Sequence, residues 1–446
     1  MKIYPLLFLL LLFQLPAIAI SIIIPSEPAP MGISYYGVNP DNSTYSLNTT
    51  AWLGIITIYD LLATNSFHLQ PYTISFQLNT VLHYNWNGKT YALWIQNVAF
   101  YNTKTHEVWF EDSVWNFSLP PAELYVEGNG VVSCYNGQYF YSYGPNDKVN
   151  LTLPAAIYLL VNVSTQNQTV LHFYYNDGYG KWVNYDNVIL EVQNISNVYF
   201  LVNGREYPPT GHYYATCLTM GGYAEDSTAR IEQANVTMQL FYWNGYNWQE
   251  GVSAYNFDAI TGETVSNVID KLTFVNYEPA AVITSGSGNA GWLWTEKNVS
   301  ILTIYTNVKK GYVLLFNSKG KYLNVSFINN LVNLTLEPSN YTVLLYSLGK
   351  IVGKTTVNLT RPYVSIAINE PTQSQTNTST TSSSSTLTQS MQNTTVNQST
   401  TQEHLNAFPS ATTTIFSKRQ VQLIVLIAVI ITSIFVLLIL IERKRR

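Results

Sequence analysis

Charge is what this 446-residue chain has least of: 11% of its residues are Asp, Glu, Lys or Arg, where a soluble globular chain averages about 25%. Amides and hydroxyls carry the polarity instead, and they do not change charge when the medium is acidified. Between Ser26 and Ser417 there are 15 basic and 25 acidic residues, so fewer carboxylates must take up protons in acid than on an ordinary surface of that size. An acidic exterior is expected, although the composition also fits a glycoprotein that is simply rich in Asn and Thr. Lys and Arg form no stripe along the exterior part, which excludes the electrostatic footprint that a nucleic acid requires.

Cysteine and histidine are scarce too. The two cysteines, Cys134 and Cys217, are expected to form a disulfide outside the cell, with two small buried hydrophobes as the other reading. Six histidines show no ligand spacing and would be protonated in acid, which argues against a zinc site or an imidazole-based triad. No G-x-S-x-G, H-E-x-x-H or P-loop occurs. Gly286 to Gly291 spells G-x-G-x-x-G, but strand-like sequence follows where a dinucleotide site needs a helix N-terminus, and Asn307 and Lys309 stand where the ribose needs an acid. No cofactor and no metal are expected.

The two ends carry clear signals. Lys2, an apolar run from Pro5 to Leu15, and Ala17-Ile18-Ala19 form the pattern of a secretory signal, assigned to residues 1–25. Val421 to Ile441 holds no charge and as a helix would span about 31 Å, the thickness of a bilayer core. Arg443, Lys444, Arg445 and Arg446 outnumber Lys418 and Arg419 across that run, so residues 418–446 are expected to be a membrane anchor with a cytoplasmic tail. Residues 371–417, about half Ser and Thr, read as an O-glycosylated stalk. The chain is thus expected at the cell surface as a single-pass membrane protein. The N-glycan acceptor pattern recurs at Asn42, Asn48, Asn116, Asn150, Asn162, Asn167, Asn194, Asn235, Asn298, Asn324, Asn333, Asn340 and Asn358, each of which must face solvent if used.

Between the ends the sequence predicts an all-β fold. Short runs of Val, Ile, Thr, Tyr and Trp are broken by Asn87-Gly88, Asn136-Gly137, Asp177-Gly178, Asn203-Gly204 and Asn244-Gly245, pairs that supply the positive φ of tight hairpins. No sustained 3.6-residue apolar period precedes the anchor. Residues 26–297 hold all ten tryptophans and form a large β-rich domain; residues 298–370, with strands about every ten residues, form a small β-sandwich.

With histidine, cysteine and metals set aside, the chemistry falls to carboxylates. Two close carboxyls share one proton, because both cannot ionise side by side; the pair is then acid and base at once and can activate water while polarising a carbonyl. The stretch HFYYNDGYGKWVNYDNV sets Asp177 and Asp186 among tyrosines on one hairpin, either as such a pair or as turn residues.

Several segments resemble the thermopsin family, secreted acid proteases of thermoacidophilic archaea: PAPMGISYYGV, LGIITI, SFQLN, WIQNVAF, VWNFS, YNDGYG with YDNV, YWNGYNWQ, and AYNF followed by Glu263 and VSNV, over residues 28 to 290. The resemblance implies a pepsin-like endopeptidase acting on polypeptides at low pH and high temperature. Its motifs hold Asp112, Asp177, Asp186 and Glu263 as candidate catalytic acids. The chain departs from the pattern at ATCLTMGG, where Cys217 stands in the place expected of an acid. Glu225 and Asp226, just beyond, are the nearby acids that could compensate. The alternative is a non-catalytic surface glycoprotein that binds glycans or envelope proteins through aromatic strands.

Overall fold

The computed structural model describes residues 27–370, apart from 40–42, 118–123, 208–210, 252, 259–260, 276–277, 288–291, 295–299, 318–321, 329 and 361–362. The expected signal, stalk and anchor therefore lie outside the described residues, as do Asn42, Asn298 and the side chain of Asn324. Among the described residues every regular element is a strand, and no helix is long and apolar enough to cross a membrane.

Two large sheets dominate. The front sheet runs in the order Trp292–Trp294, Ala254–Phe257, Met31–Tyr35, Thr216–Gly221, Thr73–Trp86, Lys89–Asn102, Glu107–Asn116, Gln138–Tyr143, Val131–Tyr135. The back sheet runs Val268–Val275, Glu278–Ser285, Thr228–Trp243, Ala51–Asn65, Ala155–Ser164, Thr169–Asn176, Val183–Leu190, Val126–Glu127. Two of the five expected turns take positive φ at both residues, Asn87-Gly88 and Asn136-Gly137, the geometry whose twist matches the flanking strands; at Asp177-Gly178, Asn203-Gly204 and Asn244-Gly245 only the glycine does.

The sheets differ in how they are covered. Ala155–Ser164 alternates buried and half-buried positions, as a strand with one solvated face should. Thr73–Trp86 is buried at ten consecutive positions, yet its first seven residues, TISFQLN, alternate polar and apolar. Leu218, paired with Leu78, packs against Gly54 of the back sheet, so Ile74, Phe76 and Leu78 point inward to the oily layer. Ser75, Gln77 and Asn79 therefore point the other way, onto an outer face that is polar and covered. A strand buried on both sides normally reads as a continuous apolar run; this one marks a face kept polar for a purpose.

Residues beyond 300 form a three-stranded sheet, Leu331–Leu336, Ser300–Tyr305 and Tyr363–Ala367, and a four-stranded sheet, Tyr322–Ile328, Lys310–Asn317, Asn340–Ser347 and Lys350–Asn358. One aliphatic cluster that includes Leu302, Val313, Leu336 and Val343 fills the space they share. Gln249 Nε2 donates to Thr335 Oγ1 at 2.5 Å and Asn247 Nδ2 to the Asn333 carbonyl at 3.0 Å, joining this unit to the Thr228–Trp243 hairpin.

Of the glycan acceptors, Asn48, Asn150, Asn167, Asn194, Asn235, Asn340 and Asn358 are exposed, and Asn162 and Asn333 are half-buried. Asn116 is a correction: it is buried at the end of a core strand and cannot present its amide to a glycan.

Candidate active site

Glu111 and Asp112 are consecutive on the strand Glu107–Asn116 and point to opposite faces. Each face gathers further acids.

On the inner face, Phe110 stacks on Tyr175 of the back sheet with ring centroids 3.8 Å apart, which orients Asp112 into the same layer. A bulge opposite Phe173 and Tyr174 turns both Tyr185 and Asp186 inward from the strand Val183–Leu190, and Asn184 fills the gap by donating to the carbonyls of Phe173 and Asp186, each at 3.2 Å. Asp112 and Asp186 thus come together from different sheets, both fully buried. Tyr141 Oη donates to Asp186 Oδ2, and the backbone amides of Asn129 and Asn187 donate to Oδ1 at 3.2 and 2.8 Å. Asp112 has no hydrogen-bond partner on either oxygen. Burial pushes its carboxyl well above the usual range, and the charges of Asp186 and Glu111 push it further. Tyr185 Oη donates to Asn97 Oδ1 at 2.9 Å, while the Asn97 amide holds the Leu160 and Tyr174 carbonyls of the back sheet at 3.0 Å each.

Asp177 takes no part in this group. Its Oδ1 accepts the Tyr179 amide at 3.1 Å in a turn where Gly178 has φ +84°, so the pairing of Asp177 with Asp186 within one hairpin is replaced by a pairing of Asp186 with Asp112 across two sheets.

The outer face carries a continuous polar row. Ser34, Cys217, Asn79, Gln96 and Ser113 stand in register on five adjacent strands, with Thr219, Gln77 and Glu111 in the next row. Gln77 Nε2 donates to Ser75 Oγ at 3.0 Å, Asn79 Nδ2 to Gln77 Oε1 at 3.2 Å, Gln96 Nε2 to Asn79 Oδ1 at 3.3 Å, Ser113 Oγ to Gln96 Oε1 at 2.8 Å, and Trp115 Nε1 to the same oxygen at 3.1 Å. Asp258, directly after Ala254–Phe257, lies over this row and is 1% exposed. Its Oδ2 accepts from Asn79 Nδ2 at 3.1 Å and its Oδ1 from Cys217 Sγ at 3.1 Å. His212 lies close enough for the Asp258 charge to offset part of the lowering that burial imposes on the imidazole.

Glu263 belongs to this face as well. It packs against Gly221, two and four residues beyond Thr219 and Cys217: a Cβ on Gly221 would come within 2.8 Å of the Glu263 Cβ, so only glycine allows the approach. Thr261 donates to the Glu263 carboxylate. Glu225 and Asp226 instead occupy an exposed turn, both at positive φ. Beside the polar row lies an aromatic cluster in which Trp94, Trp115 and Phe117 meet, and Phe117 stacks on Tyr207 and His212. Exposure grows from Cys217 and Asn79 at 0% to half-buried Glu111, Trp109 and Trp115. Burial raises the Glu111 carboxyl.

The disulfide is a second correction. Cys217 is a buried free thiol and Cys134 an exposed one. Five inter-strand steps of the front sheet separate them, roughly 24 Å at about 4.8 Å per step, far beyond the ~7 Å limit between Cα atoms of a bridge.

Sequence reasoning missed Asp258, Gln77, Asn79 and Gln96. The amides stood in view in SFQLN and WIQNVAF, but their meaning depends on the strand being covered on both faces, which alternation alone does not report.

A Thermopsin family model matches residues 17–268 of the chain. Thermopsin of Sulfolobus acidocaldarius is 30% identical over 260 residues, covering 54% of this chain and 76% of that relative. The model's span takes in both carboxylate groups and stops short of the small C-terminal sheets.

Proposed function

The chain belongs to the thermopsin family, and from that premise we propose that it is an acid endopeptidase whose reaction runs on the outer face of the front sheet. Family membership supports acid proteolysis at the coarse level. The observation that carries the finer reading is Asp258, a buried carboxyl held by Asn79 and Cys217 on a floor of side-chain amides, with an aromatic wall beside it. The inner pair, Asp112 and Asp186, is sealed between the sheets at 0% exposure, out of reach of a substrate, and of the two only Asp186 ties elements together, through Tyr141 and Asn129.

In this mechanism a peptide lies across the polar row with an apolar side chain against Trp94, Trp115 and Phe117. Ionised Asp258 takes a proton from a water as the water oxygen attacks the scissile carbonyl carbon. Gln77 Nε2, which gives one hydrogen to Ser75, turns its second to the developing oxyanion as a neutral donor, a role it keeps in acid where an imidazole would not. Gln96 Nε2 spends both of its hydrogens on Gln77 and Asn79 and holds the floor in place. The tetrahedral intermediate collapses with cleavage of the C–N bond, and Asp258 returns its proton to the leaving nitrogen. Glu263 and Glu111 line the two ends of the face. The ectodomain is proposed to stand outside the cell on its Ser/Thr stalk and C-terminal anchor, cleaving polypeptides in the medium.

The second reading, a surface glycoprotein without catalysis, is favoured by one observation: a thiol occupies position 217, where the family resemblance leads one to expect an acid. Incubating the full chain with an acid-denatured protein, from strongly acid to neutral medium, separates the two. Peptide release that Asp258→Asn abolishes supports the enzyme; no release by the wild-type chain at any pH overturns it.

A further inference from the structure

Cys217 stands in the outer face as a thiol whose chemistry the amide network and the proposed reaction leave unused. It sits between Ser34 and Asn79 in register, is fully buried, and places Sγ 3.1 Å from Asp258 Oδ1. The other carboxylate oxygen is held by Asn79 Nδ2 at the same distance. Two donors of different chemistry thus grip the two oxygens of one acid.

A thiol differs from a second carboxyl in a way that matters here. A carboxyl partner at this distance would share a proton with Asp258, and the two would titrate as a pair with one value lowered and one raised. A thiol keeps its proton throughout the acid range. It therefore donates to the ionised carboxylate throughout the acid range in which that carboxylate forms, and it does not take the proton away. Burial and the Asp258 charge push the thiol further up still, which disfavours a nucleophilic thiolate. The remaining groups known to face Cys217 and Asp258 are Ser34 and Tyr36 beside the sulfur, Asn79 on the carboxylate and His212 near it. The imidazole alone among these titrates in the acid-to-neutral range.

We propose that Cys217 is a positioning residue: its S–H bond orients and stabilises the Asp258 carboxylate without competing for its proton, so that this site works as a single acid and not as a proton-sharing pair. The proposal rests on the outer-face reading given above, and it assigns a consequence to the thiol: activity rises through one acid limb and has no second limb from a partner carboxyl. The upper limit is set by the fold and by His212, not by the loss of a shared proton.

The test uses the full chain carrying Cys134→Ser, so that Cys217 provides its single S–H group. The infrared S–H stretch is followed through the acid range, alongside proteolysis of a denatured protein. The expected result is an S–H band at the low frequency of a strong donor, moving to higher frequency at the pH where proteolysis falls on acidification. Cys217→Ser, which keeps a donor, should retain activity within about threefold, and Cys217→Ala should move the acid limb up by about one pH unit, the equivalent of one lost hydrogen bond to a charged group. Cys217→Asp should turn the single limb into a bell by supplying a second carboxyl.

An S–H band indifferent to pH, or an acid limb that Cys217→Ala leaves in place, overturns the proposal. Activity that peaks near neutrality and is abolished by alkylation of Cys217 overturns it in favour of a thiol nucleophile. If the chain releases no peptide but the S–H band still responds to pH, the thiol–carboxylate bond stands and the protease reading falls, so the two failures are told apart.

Discussion

The two faces of the front sheet solve opposite problems with the same residue type. Inside, Asp112 and Asp186 meet between apolar layers; outside, Asp258 lies on amides. The inner site gives Asp186 donors from Tyr141, Asn129 and Asn187 and leaves Asp112 bare. The outer site gives its acid two donors and a face that opens toward half-buried Glu111 and Trp109. Both sites have a buried carboxyl and neither has a lysine or arginine among its described partners; they differ in surroundings, the inner acids being closed between apolar layers and Asp258 being set on amides beside half-buried side chains.

That contrast breaks most sharply at Asp258. Asp258→Asn should lower kcat by about 10³-fold, in the upper range for loss of a general base, with the thermal midpoint in acid nearly unchanged; calorimetry and peptide release measured on one sample check both halves. Asp186→Ala should do the reverse, costing about 3 kcal/mol of stability because the Tyr141 hydroxyl and two backbone amides lose their acceptor, while activity per folded molecule persists. Urea midpoints in acid measure the loss.

A finer test uses pH. Burial raises Asp112 above its value in the unfolded chain, so the folded state binds the extra proton: the stability it contributes is complete below the unfolded value and is lost as pH rises through the folded one. Asp112→Asn should leave stability in acid almost as it is and gain on the order of 1–2 kcal/mol near neutrality, where the unfolded carboxyl ionises freely and the buried one has no partner to favour its charge. Glu250, raised by burial and by Glu278, Glu278 itself, and Asp270, raised by burial against the Gly32 amide, act with the same sign. Since the described ion pairs, Lys148–Glu107 and Arg230–Glu232, are both exposed, they offset little of this. The fold should therefore weaken from acid to neutral medium. The smallest effect concerns glycans: Asn116→Gln should leave the glycan mass unchanged, whereas Asn235→Gln should remove one chain if that exposed site is used, as peptide mapping would show.

Much of the fold was legible because hairpin chemistry is local. Asn87-Gly88 and Asn136-Gly137 announce their turns by the φ they require, and the strand runs follow from alternation. The family resemblance named Asp112 and Asp186, with Asp177 and Glu263, as candidate catalytic acids, and the first two lie together in the closed inner layer. Their union was not legible, since it depends on two sheets meeting and on a bulge at Phe173 that turns Asp186 inward. Nor was Asp258, whose partners Asn79 and Cys217 lie about 180 and 40 residues away along the chain. The expected disulfide failed for the same kind of reason: sequence counts thiols but not the four strands between them.

The doubly covered strand Thr73–Trp86 has a further consequence for assembly of the molecule. Sliding it by one residue against either neighbour would press Ser75, Gln77 and Asn79 into the oily layer and carry Ile74, Phe76 and Leu78 out among the amides. A misaligned pairing is thus penalised on both of its surfaces at once, and the sequence that builds the polar floor also proofreads the alignment of the sheet that bears it.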